Sequence, residues 1–80
     1  MANALNALLK VLRAERLPTD YPVNKVDAAL TRLGYTLKVT GSHHVWRQPG
    51  HTRIVITVHD GKVPEAALKE LRALLTKLGL

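Results

Sequence analysis

Eighty residues without a cysteine make one small domain and exclude disulfides, thiolate metal sites and cysteine nucleophiles. Twelve lysines and arginines against six acidic residues leave a net charge of +6, a balance that favours a polyanion or an acidic partner. Trp46, Tyr21 and Tyr35 are the only aromatics, which implies an aliphatic core and leaves little for stacking on bases.

The opening run MANALNALLKVLRAERL is interrupted by Lys10 and Arg13, too short and too charged for a signal peptide or a membrane span, so the chain reads as soluble and cytoplasmic. Leu5, Leu8, Leu9 and Leu12 fall at i, i+3, i+4 and i+7, predicting an amphipathic helix over residues 4–15. Pro18 and Pro22 in LPTDYPV end that helix and predict an extended connector, so residues 1–22 form a leading segment ahead of a domain over 23–80. Asn24, with Asp27 three residues on, resembles a helix start. Val26, Ala29, Leu30 and Leu33 continue as a short apolar stripe, and Gly34 supplies a left-handed C-terminal cap.

After Gly34 the period changes from 3.6 to 2. YTLKVT alternates, with Leu37 and Val39 on one face and Thr36, Lys38 and Thr40 on the other. HHVWR follows the Gly41-Ser42 turn, and RIVITVH follows the Pro49-Gly50 turn, giving an antiparallel meander of three strands that Gly61 ends. Pro64 is expected at the first position of a final helix carrying Leu68, Leu71, Leu74, Leu75 and Leu78. The order helix, helix, three strands, helix predicts an α+β sandwich with helices on one face of a small antiparallel sheet and the other face open.

Alternation then separates the two adjacent histidines. Trp46, the largest apolar group, belongs against the helices, and His44 shares its face; His43 and Arg47 point the other way. Ile54, Ile56 and Val58 are the expected core set of the third strand, leaving Arg53, Val55, Thr57 and His59 outward. No acidic residue lies between Asp27 and Asp60, while Arg32, Lys38, Arg47, Arg53 and all four histidines do. The open face is therefore a candidate anion site. His44 is expected to pack beside Trp46 and hydrogen-bond locally, and His51 to be a solvated loop residue.

These residues resemble a family. LTRLGYTLKVTGSHHVWRQPG followed by VITVHDGKVPEAALKELRALL is similar to the HicA toxins of bacterial toxin-antitoxin pairs, also called the YcfA-like family, over about residues 24 to 79. Gly34-Tyr35, Gly41-Ser42-His43, Trp46, and His59 shortly before Gly61 carry the likeness. The resemblance implies a double-stranded-RNA-binding-domain-like fold, an endoribonuclease that cleaves messenger RNA, and a HicB antitoxin as partner. It implies His43 as the catalytic residue, with Gly41 and Ser42 supporting it.

Histidine as a residue type titrates near neutral pH and serves as general acid or base, so such cleavage needs no metal or other cofactor. His59 is a candidate second proton carrier, and Lys38, Arg47, Arg53 and Lys62 are candidate RNA contacts. A zinc site is not expected: adjacent strand residues His43 and His44 point apart, and no cysteine or helical histidine pair accompanies them. Two rival readings remain open, a non-catalytic module that docks on structured RNA and a protein-interaction module that uses the first helix. Both the enzyme and the RNA-docking module predict salt-sensitive RNA binding.

Overall fold

A computed structural model of the protein describes residues 3–80. The first two residues of the leading segment 1–22 lie outside the described residues. The elements run α1 (Ala4–Arg13), β1 (Asp20–Pro22), α2 (Val23–Arg32), β2 (Thr36–Thr40), β3 (His43–Arg47), β4 (Ile54–Thr57), β5 (Lys62–Pro64) and α3 (Glu65–Lys77). The architecture is α+β, with three helices and a three-stranded antiparallel sheet in the order β2-β3-β4, as the change of period predicts. No helix among the described residues is long and apolar enough to cross a membrane.

The leading segment is built into the core. Asn3 caps α1, its side-chain oxygen accepting from the Asn6 backbone N–H at 2.9 Å. Leu8 and Leu12 are 0% and 1% exposed, and Leu17 and Tyr21 join them in one cluster with Val26, Leu30, Trp46, Leu68, Leu71 and Leu75. The apolar stripe of α1 thus faces the protein's own interior.

The connector differs from expectation. Its residues Asp20–Pro22 form β1, which pairs antiparallel with β5 through Asp20↔Pro64, Tyr21↔Val63 and Pro22↔Lys62. Just ahead of β5, Asp60 and Gly61, with φ of +53° and +71°, turn the chain back on itself. His59 and Lys62 pair across that turn, with Lys62 N–H donating to the His59 carbonyl at 2.9 Å. Two consecutive positive-φ residues in a two-residue hairpin are the type I′ geometry that Asp-Gly favours. The three-stranded meander thus ends before Gly61, and the turn leads on into β5 of the second sheet.

Helix α2 begins one residue before Asn24. Pro22 occupies the N-cap position with no side-chain cap, and the Val23 N–H donates to the Gly61 carbonyl at 2.9 Å. The expected Asn24 cap is not formed, because the hairpin carbonyl takes its place at the helix start. At the other end Gly34 has φ +96°, and the Gly34 and Tyr35 N–H groups donate to the Thr31 and Leu30 carbonyls, the paired bonds of a Schellman cap. Pro64 closes β5 and caps α3, which starts at Glu65, and Leu78 lies past the helix end, 42% exposed.

Ladder pairs Leu37↔Trp46↔Ile54 and Val39↔His44↔Ile56 form the inner face of the three-stranded sheet. Trp46, Ile54 and Ile56 are buried, whereas Val39, on the same face, is 52% exposed. Along its row exposure rises from Ile56 through half-buried His44 to Val39. Cover from the helices falls away toward the edge strand β2.

Candidate functional site: the open face of the three-stranded sheet

The outer face is organised in three cross-strand rows. The first holds Thr40, His43 and Thr57, the second Lys38, Val45 and Val55, and the third Thr36 and Arg47. His43 is exposed at the start of β3, as alternation from Trp46 requires. Gly41 and Ser42 form the two-residue turn between its strand and β2, with Gly41 at φ +60°. Positive φ at the first turn position is the type II′ arrangement, for which glycine is the ready choice. The Ser42 carbonyl accepts from the Val58 N–H at 2.8 Å, which fastens the turn to the end of β4. His43 thus stands on backbone held from both sides, while its imidazole makes no side-chain hydrogen bond among the described residues.

His44 is turned inward. Its ring lies 6.0 Å from that of Trp46, as expected, but Nδ1 is buried without a hydrogen-bond partner, so the expected local bond is not made. The Trp46 indole N–H donates to Asp27 Oδ1 at 2.9 Å, and the Thr31 hydroxyl donates to the same oxygen at 3.4 Å. Asp27, proposed by its spacing as part of a helix start, instead receives the indole that fixes β3 against α2. This places Asp27 behind the sheet, where it does not neutralise the outer face.

The other residues singled out in the sequence divide between two places. Lys38 and Arg47 share the outer face with His43. Arg47 and Arg53 line a shallow hollow with Thr36, Gln48, Pro49 and His51. His59 and Lys62 belong to the other hairpin: His59 lies past the end of β4 and is exposed, and Lys62 pairs with Pro22 in the second sheet.

Thr40 and Thr57, which flank His43, were not identified by motif; only the strand register brings them there. His51 also gains a place. It is exposed, but its Nδ1 donates to the Pro49 carbonyl at 3.1 Å and its ring meets Tyr35 edge-on at 6.0 Å. No group of three or more metal-ligating side chains occurs among the described residues.

The arrangement is an exposed imidazole on a sheet face that carries Lys38 and Arg47 and, among the described residues, no carboxylate. The family model described as HicA toxin of bacterial toxin-antitoxin matches residues 23–80, from the start of α2 to the end of the chain. The chain belongs to the HicA toxin family. Neither a curated protein nor a solved structure matches it. Membership makes this protein the toxin of a toxin-antitoxin system, with an antitoxin as its partner. The matched stretch contains every element of the three-stranded sheet, the turn at Gly41-Ser42 and both hairpins.

Proposed function

We propose that this HicA-family toxin is a metal-independent endoribonuclease that cleaves messenger RNA, with His43 carrying a proton in the reaction. The observation that carries the reading is the division of the adjacent histidines: His44 is packed inward beside Trp46, and His43 stands exposed with Lys38 and Arg47. RNA contains its own nucleophile. The 2′-oxygen attacks the neighbouring phosphorus as its proton leaves to a base, and the bond to the 5′-oxygen breaks as that oxygen gains a proton. The products are a 2′,3′-cyclic phosphate and a 5′-hydroxyl.

His43 serves one of these two transfers, with Gly41 and Ser42 placing it and the cations drawing the phosphate to the face. Holding the strand in line supplies much of the rate, because no second molecule has to be brought in. His59 in the neighbouring hairpin is the weaker candidate for the second transfer, and Lys62 beside it for a further phosphate contact. The helix-backed sheet with one open side fits a double-stranded-RNA-binding-domain-like architecture, acting in the cytoplasm under the control of a HicB antitoxin.

The test is cleavage of a long RNA in EDTA by the wild type and by His43→Ala, with circular dichroism on both. Loss of a general acid or base costs about 100-fold or more. Equal cutting by two folded proteins would remove His43 from the mechanism. A second reading, a non-catalytic RNA-binding module, draws on the absence of any side-chain partner orienting the His43 ring. It predicts binding without cutting by either protein.

A further inference from the structure

The proposed reaction takes place at one end of the open face; two arginines, Arg47 and Arg53, lie at the other. Arg47 follows Trp46 on β3, and Arg53 precedes Ile54 on β4. Since Trp46 pairs with Ile54, the antiparallel register sets Arg47 opposite Arg53 one step beyond the last ladder pair. Like charges directly opposed across strands are destabilising. Here no carboxylate relieves them: among the described residues the only ion pair is Lys69 with Glu65, on α3. Both arginines and His51 line the same hollow. The hydrogen bond from His51 Nδ1 to the Pro49 carbonyl holds the ring at the rim of that hollow. Two arginines gathered around one hollow with no carboxylate between them, and the polar ring of His51 beside them, make a site for a phosphate.

His43 and Arg47 lie on the same face of one strand four residues apart, about 13 Å at the rise of a β-strand, so they cannot hold the same phosphate. In a stacked nucleic-acid strand that span corresponds to no more than about four nucleotides, and to fewer when the strand is extended. Between the two ends the middle row presents Val45, which is half-buried, and Val55, which is 45% exposed, with Lys38 at its flank. An apolar step between two polar ones suits a strand whose phosphates sit at the ends and whose base or sugar lies over the valines.

We infer that the hollow of Arg47, His51 and Arg53 is a second phosphate subsite, which holds a backbone phosphate of single-stranded RNA a few nucleotides from the one at His43. The inference rests on the proposed ribonuclease reading for the identity of the ligand, but its test does not depend on cleavage. Uridine oligomers of two, four, six and eight nucleotides are titrated by fluorescence anisotropy into His43→Ala and into His43→Ala/Arg47→Ala/Arg53→Ala. Circular dichroism confirms that both proteins are folded, since both arginines are exposed.

The His43→Ala protein is expected to gain tenfold or more in affinity between two and six nucleotides. The triple variant is expected to lose that step, and its plot of log affinity against log salt to flatten by about 0.7 for each phosphate contact removed. A length step that survives in the triple variant, or its absence from His43→Ala, overturns the subsite. If the step depends on the arginines while the wild type cuts no RNA, the subsite stands and the catalytic reading falls.

Discussion

Leu8→Ala tests whether the leading segment is part of the fold or a free arm for a partner. Leu8 is 0% exposed and packs in the single core cluster, so truncation removes buried methyl groups and leaves a cavity. Such Leu→Ala changes cost about 2–5 kcal/mol, and alanine has the best helix propensity, so no part of the loss comes from the helix itself. At about 0.05–0.15 kcal/mol per residue, an 80-residue chain has about 4–12 kcal/mol in all. Each kcal/mol shifts the midpoint of a domain this size by about 4–8 °C, so Leu8→Ala should lower Tm by at least about 8 °C. Adding Leu12→Ala, at 1% exposure, should lower the midpoint further still. Exposed Lys10 on the same helix is the control, and Lys10→Ala should stay within about 0.5 kcal/mol of wild type. The assay is thermal and urea unfolding followed by circular dichroism. A Leu8→Ala midpoint within about 3 °C of wild type would refute the packing of α1 into the core.

Asp27→Ala strands the buried Trp46 indole N–H and should cost about 1.5–3 kcal/mol in urea unfolding; Asp27→Asn, which keeps an acceptor, should recover most of it, and equal losses would contradict the bond. Gly41→Ala meets no atom within 4 Å, so its cost is that of the backbone alone, about 1–3 kcal/mol for a side chain held at φ +60°. It should also slow RNA cutting by displacing His43, and a variant as stable as wild type would show that the turn has another conformation. Burial raises the Tyr21 phenol above its ordinary value of 10.0. The unfolded chain then loses this proton first, so the stabilisation is complete below about pH 10 and declines as pH rises toward the folded value. Tyr21→Phe should therefore show a shallower fall of Tm above pH 10 than wild type, and parallel falls would remove Tyr21 as a cause.

What could be read in the sequence was what repeats at short range. The leucine spacing of α1 and α3 and the alternation through His43, His44 and Trp46 each place their own residues without reference to distant ones. The second sheet escaped because β1 and β5 have three residues each, contain Pro22 and Pro64, and show no period. Its one local sign was Asp60-Gly61, a dipeptide suited to consecutive positive-φ positions. Val39 keeps the period and is still exposed: alternation assigns a face, whereas cover depends on how far the helices reach across the sheet. The hollow at Arg47, His51 and Arg53 depends on register between β3 and β4, which no single strand encodes.

Register is also what makes His43 available. Moving β3 by one residue against its neighbours would turn Trp46 outward, break its bond to Asp27 and bring Arg47 into the aliphatic core. Exposing the indole forfeits its burial, and enclosing an unpaired guanidinium adds a larger penalty of the same sign. Both terms favour the observed pairing, so Trp46 determines the side on which His43 stands without touching it. The Gly41-Ser42 turn then fixes how far along the strand His43 sits, and the Val58 N–H on the Ser42 carbonyl keeps that turn from moving away from β4. The position of the proposed proton carrier follows from a buried tryptophan, a positive-φ glycine and one backbone hydrogen bond. These contacts fix the backbone of His43 and the face on which its imidazole stands.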